Sequence, residues 1–407
     1  MSAPPFDAVI AGGGLSGLSL AGHLASRGWG DRSVLLVDDT RARPAAVSWG
    51  YWSAEPGLLD AAAWRAFDRV RIHAAGTMRD LSLGRYQYRV VRRPELDRVV
   101  RGLLSTCAGF QIRSGRVQRI RDEGDRATVT VDGETIGCRW AFDSVSGPDL
   151  AGPADAQLAF TGWEVRSDRA PFEPDVPVLF DFRTPQRDGS RFVYVLPDGP
   201  GRALVELTEF VPRGARPPSA ADRRSALARY LCGVVGIDDY HIARAESAVL
   251  PLRTRPSPRR AGTVLAIGAT GGLVKASTGY AFQRIQRDSA AIADSLVRHE
   301  HPFALPQSRS RYRLLDAVLL EVLRHDPAQL ELAFAALFRA NPAERVLAFL
   351  DESTSVRDDL RIMASLRPWP YLAGLARHTR HRLALRPTGP GWSPLPGRAA
   401  PRNVRMR

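Results

Sequence analysis

A chain of 407 residues has room for two or three packed units, and its hydrophobic share of 44% is ordinary for a globular protein. No apolar run approaches the roughly 18–20 residues that cross a bilayer. Cys107, Cys138 and Cys232 are odd in number and far apart, which excludes a disulfide framework and a cysteine metal site and makes a reducing cytoplasm the expected compartment.

The formal net charge is +14, and Lys275 is the only lysine among 57 basic residues. Three readings of that charge stand side by side: nucleic acid, an anionic membrane surface, or arginine-rich codon usage on a solvated face. The N-terminal stretch runs almost directly into a strand, with no signal-peptide pattern before it. Residues 6–11 read as a buried strand. Gly12, Gly14 and Gly17 follow in G-x-G-x-x-G spacing. Then come a helix of small residues (Ser19, Ala21, Gly22, Ala25) and an apolar strand from Val34 to Val37 that ends at Asp38. Strand, glycine turn, helix, strand and acid in register make a dinucleotide-binding unit. Gly12 permits the tight turn, Gly14 admits a pyrophosphate at the helix N-terminus, Gly17 lets the helix pack on the strand, and Asp38 accepts from a ribose hydroxyl.

The aromatic stretch 48–53 precedes a strand and amphipathic helix over 86–104. Residues 111–147 alternate like hairpin strands. Residues 177–197 and 202–210 read as strands of a second, mostly antiparallel sheet. Residues 262–272 form another buried strand that enters a glycine turn, and Thr278 is expected to cap a helix from Gly279 to Arg298. From about 305 to 380 apolar residues recur at helical spacing. The tail after 384 is rich in Pro, Gly and Arg and is expected to be disordered. The second glycine turn (Gly268, Gly271, Gly272), some 250 residues after the first, points to FAD in an extended pose with this turn near the flavin ring. Many FAD enzymes carry Gly-Asp here; this chain has Gly268-Ala269.

At this point the chain resembles the lycopene cyclase family, of the FAD-dependent bacterial and plant type. "AIGATGGLVKASTGYAF" (266–282) is similar to its C-terminal flavin motif and "RALVELTEF" (202–210) to its catalytic acidic motif. "VLFDFR…FVYVLP", "RVLAFLDE" and the N-terminal fingerprint also fit, so the likeness runs from about residue 6 to 375. The resemblance implies an α/β fold: a Rossmann-type FAD-binding domain (1–45, 95–150, 258–300), an antiparallel-sheet substrate domain (46–94, 151–257), a helical segment (301–383) and a basic tail (384–407). It implies an intramolecular lyase of carotenoid biosynthesis that closes the ψ end groups of lycopene into β-ionone rings with reduced FAD and no net redox change. NAD(P)H would be the external reductant. The partners are a linear carotene and a membrane surface, with no nucleic acid and no metal. The localisation is cytoplasmic and peripherally membrane-associated.

Glu206 stands at the family's essential acid. A carboxyl in an apolar pocket stays protonated, and Leu204, Val205 and Leu207 supply the expected pocket. Many relatives carry a second acid at the next position, which is Leu207 here, so the acid role falls on Glu206 alone. Strand alternation puts Glu209 on the opposite face. Flavin contacts are expected from Gly268, Gly271, Gly272, Thr278 and Gly279. Lys275 is either a cationic partner of the reduced flavin or a chance survivor of codon drift. Trp49, Trp52, Tyr86, Tyr88, Trp163, Phe192 and Tyr194 line a polyene tunnel or pack the core. The rival readings are an FAD-dependent monooxygenase or reductase acting on an apolar isoprenoid. The monooxygenase should carry Asp after Gly268 and a D-G motif followed by Arg.

Overall fold

The computed structural model describes residues 5–41, 47–146, 154–186, 189–255, 258–307 and 309–384. Apart from its first residue, the basic tail lies outside them. Strand β1 (Phe6–Ala11) is apolar on both faces, as a central parallel strand must be. It lies between β2 (Val34–Asp38) and β11 (Glu134–Asp143), parallel to both. β8 (Phe110–Ser114) extends the sheet beyond β2, and β18 (Val264–Ala266) extends it beyond β11. Short β17 (Arg260–Ala261) pairs antiparallel at that edge. β9 (Val117–Asp122) and β10 (Ala127–Val131) meander back to β11, and Val129 and Val131 pack on Val9, Leu35 and Val37. Helices α1 (Leu15–Ser26), α2 (Arg93–Leu104) and α4 (Phe282–His299) pack against the residues of β1 and β2 that point the other way. The hairpin reading of 111–147 therefore holds for 117–143 but not for β8. That strand arrives from α2 and pairs parallel to β2, as a crossover connection requires.

The second large sheet runs in the order β16 (His241–Leu252), β12 (Ala156–Arg166), β15 (Arg202–Pro212), β14 (Ser190–Pro197), β13 (Val178–Asp181), β5 (Arg69–Ala74), β6 (Thr77–Ser82). Every pairing is antiparallel except β13 with β5. Along β15 the side chains alternate between two cores. Ala203, Val205 and Leu207 pack with Leu227 and Tyr230 of α3 (Ala220–Tyr230). Leu204 and Phe210 pack with aromatic residues and with α5 (Ser310–His325), α6 (Gln329–Ala340) and α7 (Ala343–Leu350).

A third, three-stranded sheet has the order β3 (Ser48–Ser53), β7 (Gln87–Arg92), β4 (Ala63–Phe67) and leans on the same aromatic core. The aromatic stretch 48–53 is thus a strand. α8 (Val356–Ala364) and α9 (Pro368–Ala384) close the described chain, with α9 lying along α5. Among the described residues no helix is long and apolar enough to cross a membrane.

Candidate functional site

The candidate site has two features: a glycine cradle between the first and last parts of the chain, and an acidic row on the second sheet. The cradle begins at Gly12, whose φ of +101° favours glycine. A Cβ on Gly17 would lie 1.8 Å from the Gly12 carbonyl oxygen, so α1 seats directly against the turn. A Cβ on Gly14 would meet nothing within 4 Å, leaving open space beside it. α1 starts there with no side-chain cap and no acid in its first turn, so its amide donors and positive dipole end face that space. Asp38 is buried at the end of β2; it packs so tightly on Gly13 that a Cβ there would sit 2.4 Å from its Cγ. Arg93 Nη2 donates to the Gly13 carbonyl at 2.5 Å and lies 3.6 Å from Asp38 Oδ2. Gly268 docks on this turn, with a built Cβ 1.8 Å from Ser16 Oγ. An open cradle, an uncapped helix start and a buried acid fit the diphosphate and ribose of a dinucleotide.

Other expected cofactor residues sit differently. Gly271 and Gly272 line an arginine-rich cavity of about 520 Å³ whose lining includes no residue of the first glycine turn. Thr278 caps no helix. The Gly279 amide donates to the Lys275 carbonyl at 2.8 Å, Gly279 has φ +75°, and this closed turn delays α4 until Phe282. The Thr278 hydroxyl instead accepts from the Tyr280 amide at 3.3 Å. Lys275 also departs from its cofactor role. Its buried ammonium donates to both Asp316 oxygens at 3.0 and 3.2 Å and to Glu352 at 2.8 Å. Two carboxylates already neutralise it, which leaves no cationic surplus for a flavin. Three donors on one compact nitrogen suit this triad, whereas a planar guanidinium presents a fork.

The acidic row crosses four strands of the second sheet. Tyr194 on β14 pairs with Glu206 on β15, Glu206 with Gly162 on β12, and Gly162 with Glu246 on β16. Paired residues share a face, so Tyr194, Glu206 and Glu246 point the same way. Gly162 leaves a gap between the two acids; a Cβ there would lie 3.2 Å from both Leu204 Cδ1 and Glu246 Cγ. The carboxyl groups are within hydrogen-bonding reach of each other. Burial first, and then the charge of Glu246, hold Glu206 well above the usual carboxylate range, against a 3.3 Å bond from the Thr208 hydroxyl. Burial pushes Glu246 up to about 7, against Arg244 and the Ser48 amide. That amide donates to Glu246 Oε2 at 2.9 Å, while the buried Oε1 has no donor.

Aromatic hydroxyls close over Glu206. Tyr194 and Tyr280 exchange a 3.0 Å hydrogen bond, and Tyr88 and Tyr280 hydrogen-bond as well. Burial raises all three phenols, which stay neutral beside the acid. Trp52 packs edge-on to Tyr280 with ring centroids 4.5 Å apart. Glu206 keeps some accessible surface although protein surrounds it.

The expected aromatics separate accordingly. Tyr88 and Tyr194 stand beside Glu206 and Trp52 beside Tyr280, while Phe192 packs edge-on to Phe180 and tilted against Phe182. Tyr86 lies in the same core, Trp49 packs on the dinucleotide side, and Trp163 faces α3. Val205 and Leu207 also face α3, so of the three expected pocket residues only Leu204 flanks the acid. Glu209 lies on the far face as expected, paired with Arg191. Glu246, Gly162 and Tyr280 escape the sequence reading because a strand register 40–80 residues away is not written locally. The trace available was a lone glutamate in the alternating stretch "ESAVLPL".

An apolar groove of about 320 Å³ runs between α5, α6 and α9. Its inner end reaches Lys275, Ser277 and Thr278, and its outer end is framed by Tyr371, Leu372 and Leu375. Among the described residues no cluster of three or more His, Cys, Asp or Glu could hold a metal ion.

The family model described as "Lycopene cyclase protein" matches residues 7–375. The chain belongs to that family. This family member is 29% identical over 304 residues to an uncharacterized carotenoid cyclase of Deinococcus radiodurans, covering 72% of this chain and 70% of the relative. It is 26% identical over 314 residues to the chloroplastic lycopene beta cyclase of Arabidopsis thaliana, where 72% of this chain spans 60% of the relative's length. Its fold is similar to that of a geranylgeranyl bacteriochlorophyll reductase-like protein of Thermoplasma acidophilum (TM-score 0.59, 15% identity, covering 93% of this chain and 100% of the other). It is also similar to a flavoprotein/dehydrogenase of Cytophaga hutchinsonii (TM-score 0.59, 11% identity, 93% and 99%). At such identities the structural likeness speaks to fold alone.

Proposed function

We propose that the protein is a lycopene β-cyclase, closing the ψ end groups of a linear carotene into β-ionone rings. The carrying observation is Glu206: a carboxyl kept protonated by burial beside Tyr88, Tyr194 and Tyr280. Its proton adds to the terminal alkene, leaving a tertiary carbocation on the end group. The next alkene attacks that cation through one carbon and forms the ring bond, which leaves the charge on that alkene's other carbon. Loss of a neighbouring proton to the Glu206 carboxylate completes the ring and restores the acid, so no electrons are gained or lost. The π faces of the three tyrosines and Trp52 stabilise the cation as it moves.

The Gly12–Gly14 turn, the start of α1, Asp38, Arg93 and Gly268 would hold FAD. In its reduced form that group supplies negative charge against a cationic intermediate. NAD(P)H is the external source of reducing equivalents. The flavin unit would be discontinuous in sequence, drawing on residues 1–45, 95–150 and 258–300. The apolar groove beneath α9 is the access route for the polyene: its wall includes Thr278, whose hydroxyl accepts from the Tyr280 amide. Trp369, 77% exposed, and the exposed Leu360, Leu372 and Val356 stand beside Arg357, Arg361 and Arg367, a surface suited to an anionic bilayer face. This supports peripheral membrane attachment at the cytoplasmic side. The monooxygenase reading is disfavoured by Ala269, which takes the place of the expected Asp.

Expression in a host that accumulates lycopene tests the proposal. Cyclised carotene should replace lycopene in the pigment extract; unchanged lycopene alongside folded, flavin-loaded protein contradicts it.

A further inference from the structure

We infer that Glu246 is a positioning residue for the acid: its carboxylate reaches across Gly162, accepts a hydrogen bond from the protonated Glu206 carboxyl and keeps that proton in place until it is delivered. The register carries the argument. Glu206, Gly162 and Glu246 stand in one row, and glycine is the residue that leaves the gap between the two acids unfilled. Glu246 cannot swing away, because its Oε2 is fixed by the Ser48 amide, which comes from a different sheet. Its buried Oε1 lacks a donor, and a proton on Glu206 is the donor within reach.

The surroundings favour this division of one proton over two carboxyl groups. Beside Glu246 stand Arg244 from its own strand and Arg92 and the Ser48 amide from the three-stranded sheet, which favour its anion. Both arginines are shared with Glu164 of β12, at 3.4 and 3.3 Å. Glu206 faces neutral Tyr88, Tyr194 and Tyr280 and the Thr208 hydroxyl, which offer no full charge to its anion. When Glu206 gives up its proton, two carboxylates face each other. Their repulsion makes Glu206 a stronger base for the proton released at ring closure. The proton returns to Glu206, Glu246 is unchanged, and the cycle needs no further acid. The last two steps rest on the cyclase reading; the shared proton does not.

The test is an infrared titration of the protonated-carboxyl band in the full-length, flavin-loaded protein without carotene, alongside the pH profile of turnover. The wild type should hold a protonated carboxyl above neutral pH that is absent from Glu206→Gln. Glu246→Gln is nearly isosteric but removes the charge, so loss of the band should move to lower pH by about one unit. The alkaline limb of turnover should move with it. Glu246→Asp, which keeps the charge but shortens its reach, serves if the amide variant fails to fold, and it should shift both readouts the same way by less. Titrations that superimpose in wild type and in whichever variant folds overturn the pairing. A shifted titration in a protein that cyclises no carotene upholds the pairing and overturns the cyclase reading.

Discussion

Replacing Glu206 with glutamine keeps the size and polarity of the side chain but removes the transferable proton. The variant should fold and retain flavin while cyclisation falls by about 10²–10⁴-fold, the usual worth of a positioned acid; near-normal turnover would place the acid elsewhere. Lys275 makes a different prediction, because the structure assigns it to Asp316 and Glu352. Lys275→Met strips the buried Asp316 carboxylate of its ammonium partner and should cost about 3–5 kcal/mol in denaturant unfolding. Unaltered stability with lost flavin would return the lysine to the cofactor. Burial opposes the charge on Glu352, but Lys275 and Arg284 hold its carboxyl below the ordinary value. The stability it contributes is therefore present above the unfolded value of about 4.3 and is lost as pH falls through the lower folded value. The stability gap between wild type and Glu352→Gln should close on acidification; a gap that widens would contradict the pairing. Single residues were only half legible in the sequence. Glu206 announced itself through its motif, whereas Glu246 and Gly162 gained meaning only once β16 and β12 were in register.

At the scale of elements, the glycine turn and α1 behave as one unit. Gly17→Ala puts a methyl carbon against the Gly12 carbonyl, and Gly14→Val fills the open cradle. Both variants, and Asp38→Ala, should purify without flavin; a full complement in all three would refute the dinucleotide site. This unit was legible from the sequence because its spacing is local and sterically enforced: β1, α1 and β2 fall where the pattern puts them. The second sheet was legible only in β13–β15. β16, at its edge, and β12 beside it carry mixed apolar and charged residues that reveal no face until paired. α8 and α9 make the remaining element-level prediction. Flotation with anionic vesicles should weaken with salt as charges are screened within roughly 8–10 Å. Trp369→Asp with Leu372→Asp should abolish the apolar remainder. Vesicle binding that survives both changes would move the docking surface elsewhere.

On the scale of the whole molecule, the α/β architecture carries a glycine cradle on the parallel sheet and an acidic row on the second sheet. The fold itself is shared with proteins of quite different chemistry, so the site must carry the functional claim. Its central element is reversible protonation of an alkene by Glu206 without net redox change. The most direct test is mass analysis of the carotene after turnover in deuterium oxide and in ordinary water by the purified, flavin-reduced protein. The account predicts that protein equilibrated in deuterium oxide adds one solvent deuterium to each ring closed in a single turnover, and that the product formed in ordinary water keeps its mass. A product heavier by two hydrogens or by an oxygen in ordinary water, or a ring formed without solvent deuterium, would contradict it.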